Sequence, residues 1–149
     1  YSVVLSADQP IVAIANLAGA EGTLNYNGSY SGMADMGQTE MYMPSVNKEF
    51  YTWNSNLSVQ NLTGALMNIT VDFFAGTPTV THSINMDVEP YTSWHIPVGD
   101  EATLPAGYNG SAVVSASGPV AVVDNQYNPG GGRNWHLPLQ VESAPGRRF

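Results

Sequence analysis

Apolar residues recur at every second position in several short stretches of this chain. The clearest is 67–73, where Met67, Ile69, Val71 and Phe73 share one phase and Asn68, Thr70 and Asp72 the other. A period of two marks a β-strand with one face buried and one face in water. Val80, His82, Ile84, Met86 and Val88 form a second stripe, and Trp94, Ile96 and Val98 a third. Gly, Pro, Asn and Asp break the segments, and no stretch carries the spacing of an amphipathic helix. The pattern predicts an all-β chain folded as an antiparallel β-sandwich of Ig-like or jelly-roll-like type, with His82 facing the core.

Ala112–Ser115 and Val120–Val123 are aliphatic in both phases and flank Ala116-Ser117-Gly118-Pro119. This predicts two strands joined by a tight hairpin turn. The same segment occurs twice. Tyr1–Asn16 aligns without gaps on Gly110–Asn125, with Ser2/Ser111, Val4/Val113, Ser6/Ser115, Ala7/Ala116, Pro10/Pro119 and Asn16/Asn125 identical. Tyr42-Met43-Pro44-Ser45 similarly resembles His136-Leu137-Pro138-Leu139. Self-similarity of this kind marks a tandem array. The expected organisation is an N-terminal repeat-like hairpin and linker over 1–40, a β-sandwich module over 41–128, and a Gly-rich linker with a C-terminal strand and basic tail over 129–149. On this reading the two end pieces belong to incomplete units that complete each other between chains.

The length of 149 residues suits one domain with a sizeable core. Four Lys and Arg stand against 12 Asp and Glu, for a net charge of −8, which makes nucleic acid a poor partner. Three of the four cations, Arg133, Arg147 and Arg148, lie near the C-terminus and favour head-to-tail contact with an acidic body. There is no cysteine and no apolar run long enough to enter a membrane as a helix. Tyr1, in place of an initiator Met, reads as a processed start, and the expected location is extracellular, at the cell surface. The five sequons at Asn27, Asn56, Asn61, Asn68 and Asn109 point the same way, as candidate sites for N-linked glycans.

The successions Tyr51-Thr52-Trp53-Asn54-Ser55-Asn56-Leu57-Ser58-Val59-Gln60-Asn61, Leu104-Pro105-Ala106-Gly107-Tyr108-Asn109-Gly110-Ser111 and Gly118-Pro119-Val120-Ala121-Val122-Val123-Asp124-Asn125 resemble an all-β module repeated in tandem in secreted bacterial surface proteins. The resemblance implies an extracellular sandwich used as a structural or adhesive unit, without chemistry of its own. The chain departs from the pattern at its C-terminus, which ends Arg147-Arg148-Phe149.

Nothing in the sequence builds an active site. His82, His95 and His136 lack metal-binding spacing, and no nucleophile elbow, zinc-protease motif or phosphate loop is present. Asp100-Glu101 and the pair Asp87 and Glu89 lack the ordered ligand ladder of a calcium loop. No catalytic residue, metal ligand or cofactor is therefore expected, glycans apart. The aromatic residues offer a rival reading. Trp53, in a turn-like stretch, is a candidate contact for a sugar ring, whereas Trp94 and Trp135 fall in strand-like phases.

The sequence is read as a structural subunit of an extracellular filament. It assembles with itself, head to tail, by adding a strand of one subunit to a sheet of the next. The expected donor residues are Val3, Leu5, Ile11, Val12 and Ile14 at the N-terminus, with Trp135, Leu137 and Leu139 as an alternative donor. The competing readings are a carbohydrate-binding or adhesive surface module, with glycans or cell-surface polysaccharide as partner, or one excised unit of a long tandem-repeat protein.

Overall fold

The computed structural model describes residues 3, 5–21, 24–31, 37–128 and 137–140, with side chains described for 3, 5–16 and 37–128. The chain is all-β and antiparallel. Two strands, β1 (Ile14–Glu21) and β2 (Leu24–Ser31), form a hairpin of their own. The remaining strands are β3 (Gln38–Lys48), β4 (Asn54–Asn61), β5 (Met67–Phe74), β6 (Val80–Val88), β7 (Ser93–Pro97), β8 (Tyr108–Tyr127) and β9 (Leu137–Gln140), and they form one seven-stranded sheet.

The layout of that sheet follows from three long, bent ribbons. β8 pairs β5 through Ser111–Ala116 and β4 through Val120–Tyr127, so β4 and β5 lie end to end along the same side of β8. β6 pairs β5 and β7 pairs β4, so β6 and β7 likewise form one bent edge. β3 and β9 occupy the other side of β8. Each ribbon turns a corner at the same level, near Leu62–Leu66, Glu89–Thr92 and Ser117–Pro119. The sheet thereby curls into a half-barrel whose two halves share one concave face.

Alternation decides what lines that face. Odd positions of β4 and β5 (Leu57, Val59, Met67, Ile69, Val71, Phe73) and even positions of β8 (Ala112, Val114, Val120, Val122) are buried in a single apolar cluster. Met41, Met43 and Val46 of β3 join them, as do Ile96, Val98 and Leu104. Burying side chains of this size stabilises by about 1.5–3 kcal/mol each, which makes this cluster the main source of stability. The three predicted stripes all form strands, with Val98 passing into a short 3-10 turn at Val98–Asp100.

The hairpin expected at Ala116–Pro119 does not exist. β8 runs through it as one strand of 20 residues, because even-numbered residues on both sides of the bend must reach the same core and an unbroken strand keeps that parity. Pro119 is tolerated at the bend, where no ladder bond is demanded of it, and its carbonyl accepts from the Leu62 N–H at 3.2 Å. Of the hairpin expected over residues 1–16, none of the described residues up to 13 belongs to a strand. Pairing there begins at Ile14 and runs forward to β2, so the stretch read as a linker holds strands.

Candidate assembly interface

The N-terminal arm carries apolar side chains, and none of its described residues up to 13 pairs with a strand. Residue 3 and residues 5–13 belong to no strand, yet Val3 is 76%, Leu5 60%, Ile11 53%, Val12 89% and Ile14 67% exposed. A bend at Asp8–Gln9, followed by Pro10, divides the arm into two apolar stretches. All five N-terminal donor candidates thus lie along one stretch. Of the alternative donor, Leu137 and Leu139 belong to β9, which already pairs with β8 of its own chain opposite Gln126 and Asp124. Trp135 lies outside the described residues, as do the Gly-rich stretch 130–132 and Arg133, Arg147 and Arg148.

An acceptor feature was not singled out from sequence. β6 and β7 are the last strands on one side of the sheet, and neither has a further strand partner among the described residues. Met86 stands in the inward phase of β6, opposite Ile69, and is still 46% exposed. Ile84 and Trp94 are only partly buried against the core. The concave face is therefore incompletely covered at this edge. The alternation over 80–88 and 93–97 carried the signal, because two inward stripes separated by a short Pro-containing break describe a bent edge.

His82 faces inward as expected, stacked on Phe73 with ring centroids 5.9 Å apart. Its Nε2 lies 2.7 Å from the Thr103 hydroxyl and 3.5 Å from a Glu101 carboxylate oxygen. This contact fastens the loop before β8 onto β6. Lys48 is buried and donates to the Glu101 carbonyl at 2.6 Å, fastening the same loop from the other side. Among the described residues no three His, Asp or Glu side chains are grouped to hold a metal ion. The His95 Nδ1 lies 3.4 Å from the Ser58 hydroxyl on an exposed face.

A polar network closes one end of the core. Asp124 follows Val120 and Val122 on the inner row of β8 and is fully buried. One of its carboxylate oxygens accepts from the Ser55 hydroxyl at 3.0 Å and the Gln126 amide at 3.1 Å, and the Asn56 backbone also bonds to the carboxylate. Burial pushes the Asp124 carboxyl up to about 6 against the opposing pull of these hydrogen bonds. Gln126 also donates to the Ser45 carbonyl, and Ser55 accepts from the Asn47 N–H, which ties β3, β4 and β8 together. Burial likewise raises Tyr108, whose hydroxyl lies 2.9 Å from the Phe74 carbonyl.

The sequons fall into distinct environments. Asn68 and Asn109 are exposed, Asn56 is half-buried, and the side chain of Asn27 lies outside the described residues. Asn61 corrects the expectation of a glycan there. It is completely buried, and its amide nitrogen donates to the carbonyls of Ala65, Val88 and Glu89 at 2.8, 3.0 and 3.3 Å. A folded chain leaves no space for a sugar on that nitrogen.

Trp53, the candidate sugar contact, is half-buried in a two-residue turn in which Phe50 and Trp53 exchange backbone hydrogen bonds. The turn residues Tyr51 and Thr52 take positive φ values of 47° and 69°. Tyr51, rather than Trp53, is the exposed ring of this turn. Trp94 packs against the core as its phase implied.

No family model matches the chain, and no curated protein does. Among solved structures, the crystal structure of Thermotoga maritima 1070 superimposes with a TM-score of 0.60 over 74% of this chain and 97% of that one, at 16% identity. Identity this low shows a shared fold and nothing of activity. Among the described residues no helix is long and apolar enough to cross a membrane.

Proposed function

We propose that the chain is a structural subunit of an extracellular filament, polymerised head to tail by strand addition between subunits. The observation that carries the reading is the arm. Four large apolar residues, Val3, Leu5, Ile11 and Val12, stand exposed along a segment that pairs with no strand of its own chain among the described residues, and Ile14, also exposed, follows as the first residue of β1. Monomeric proteins seldom leave such a stretch in water, and a strand placed on a sheet edge satisfies its backbone and its side chains together. Covering three or four of these side chains stabilises a joint by several kcal/mol, at about 1.5–3 kcal/mol each. Donor and acceptor are different surfaces, so the contact is heterologous and grows a filament unless it closes into a ring.

Electron microscopy and sedimentation of the purified chain over a concentration series test this directly. Filaments that lengthen with concentration are expected. Leu5→Asp combined with Ile11→Asp should give folded monomers, since neither residue belongs to the core. A chain that stays monomeric at every concentration, or a double variant that still forms filaments, would sink the proposal.

A further inference from the structure

We infer that the arm of one subunit docks antiparallel along the bent β6–β7 edge of the next, with Ala7–Pro10 opposite the corner Glu89–Thr92. This rests on the filament reading and deepens it by naming the acceptor and the register.

The arm is a sequence copy of part of β8, the strand that already crosses from one half of the sheet to the other. The arm bends at Asp8–Gln9, between the apolar stretches that carry Leu5 and Ile11. The edge is interrupted as well, at the four residues Glu89–Thr92 between β6 and β7. Centring the bend of the arm on that break fixes one continuous register. Leu5 then faces Trp94, Ile11 faces Val88 and Ala13 faces Met86. All three edge residues belong to the inward row, and the arm residues share one phase. A shift by a single residue would turn every arm side chain to the outer face. Pro10, which has no N–H to donate, falls at the corner where the ladder is interrupted. The stretch from Val3 to Ala13, which pairs with no strand among the described residues, spans the edge from Ile96 back to Met86, an exposed residue of the inward row.

Two consequences separate this joint from other placements of the arm. Ile11 points into the concave face of the acceptor, whereas its neighbour Val12, although 89% exposed in the monomer, points away from it. Ile11→Asp should therefore abolish filaments, while Val12→Asp leaves them. The chain contains no cysteine, so introduced thiols report on the register without interference. Ser6→Cys with Ser93→Cys places two thiols opposite each other across the joint. Ser6→Cys with His95→Cys places them two residues out of register, beyond reach of a strain-free disulfide.

Oxidising filaments of the first double variant should give a ladder of covalent multimers on a non-reducing gel, collapsing to monomer on reduction, with the out-of-register pair giving less than a tenth of that yield. Filaments that form without the ladder, or with it only from the out-of-register pair, overturn the edge and register while leaving filament assembly in place. Covalently closed monomers, with the arm folded onto its own β7, overturn the inference as well. Absence of filaments from the unmodified chain overturns both this inference and the reading beneath it.

Discussion

The side-chain amide of Asn61 donates to the main-chain carbonyl of Val88 at 3.0 Å, and this bond joins two ribbons of the sheet where both turn the corner. The same nitrogen reaches Ala65 and Glu89, while its carbonyl oxygen accepts from the N–H and the hydroxyl of Thr63, each at 2.8 Å. Asn61 occupies an inward position of β4 where an apolar residue would be expected. An apolar side chain there would leave several backbone groups buried without partners. Asn61→Ala should therefore destabilise by about 2–4 kcal/mol, measured by urea denaturation. A loss within about 0.5 kcal/mol of zero would show that the corner holds without it.

The same geometry decides which sequons a glycosylating host can occupy on the folded chain. Peptide mapping by mass spectrometry after expression in such a host should find sugar at Asn68 or Asn109, both exposed, and none at Asn61. Asn68 donates to the Asp87 carboxylate at 2.8 Å on the outer face, a contact that solvent can replace at little cost. Glycan on Asn61 of a chain that still folds would contradict the buried position.

Much of the fold was legible because period two leaves little freedom: Met67, Ile69, Val71 and Phe73 reach the core as their phase required. Connectivity was harder to read. A Gly-Pro break between two aliphatic runs is the composition of a hairpin turn and equally that of a bend in a continuous strand. Only the partners on either side, Ile69 beside Ala116 and Asn61 beside Val120, distinguish the two. Asn61 was misread for a related reason, since a sequon motif carries no information about whether the amide nitrogen is already engaged. The arm was legible as apolar and repeat-like, but its exposure depends on what the rest of the chain leaves uncovered.

Two glycines separate steric from conformational cost. A β-carbon on Gly110 would run into the Phe74 carbonyl oxygen and the Tyr108 hydroxyl, where β5 and β8 meet. Gly76 has open space around it but sits at φ +73°, in the left-handed region. Gly110→Ala should cost about 3 kcal/mol or more through displaced backbone, whereas Gly76→Ala should cost about 1 kcal/mol. Equal losses in paired urea titrations would mean that the close approach at Gly110 relaxes freely.

Asp124 makes stability depend on pH in a direction opposite to that of most paired carboxylates. Burial raises its folded pKa from 3.8 to about 6, against the Gln126 and Ser55 hydrogen bonds that favour the ionised form. Between those values the folded chain keeps the proton while the unfolded chain releases it. Stability must then fall as pH rises through this window. The favourable contribution is complete below about pH 4 and is lost above about pH 6, where both states are ionised. A shift of this size corresponds to roughly 3 kcal/mol. Asp124→Asn removes the titration and keeps an oxygen for Ser55 and Gln126 to donate to. The stability difference between the two proteins, measured by urea denaturation from pH 4 to 8, should therefore move in favour of the Asn variant by about 2–3 kcal/mol as pH rises. Parallel profiles across that range would show that Asp124 ionises in the folded chain as readily as in water, and that the end of the core admits solvent.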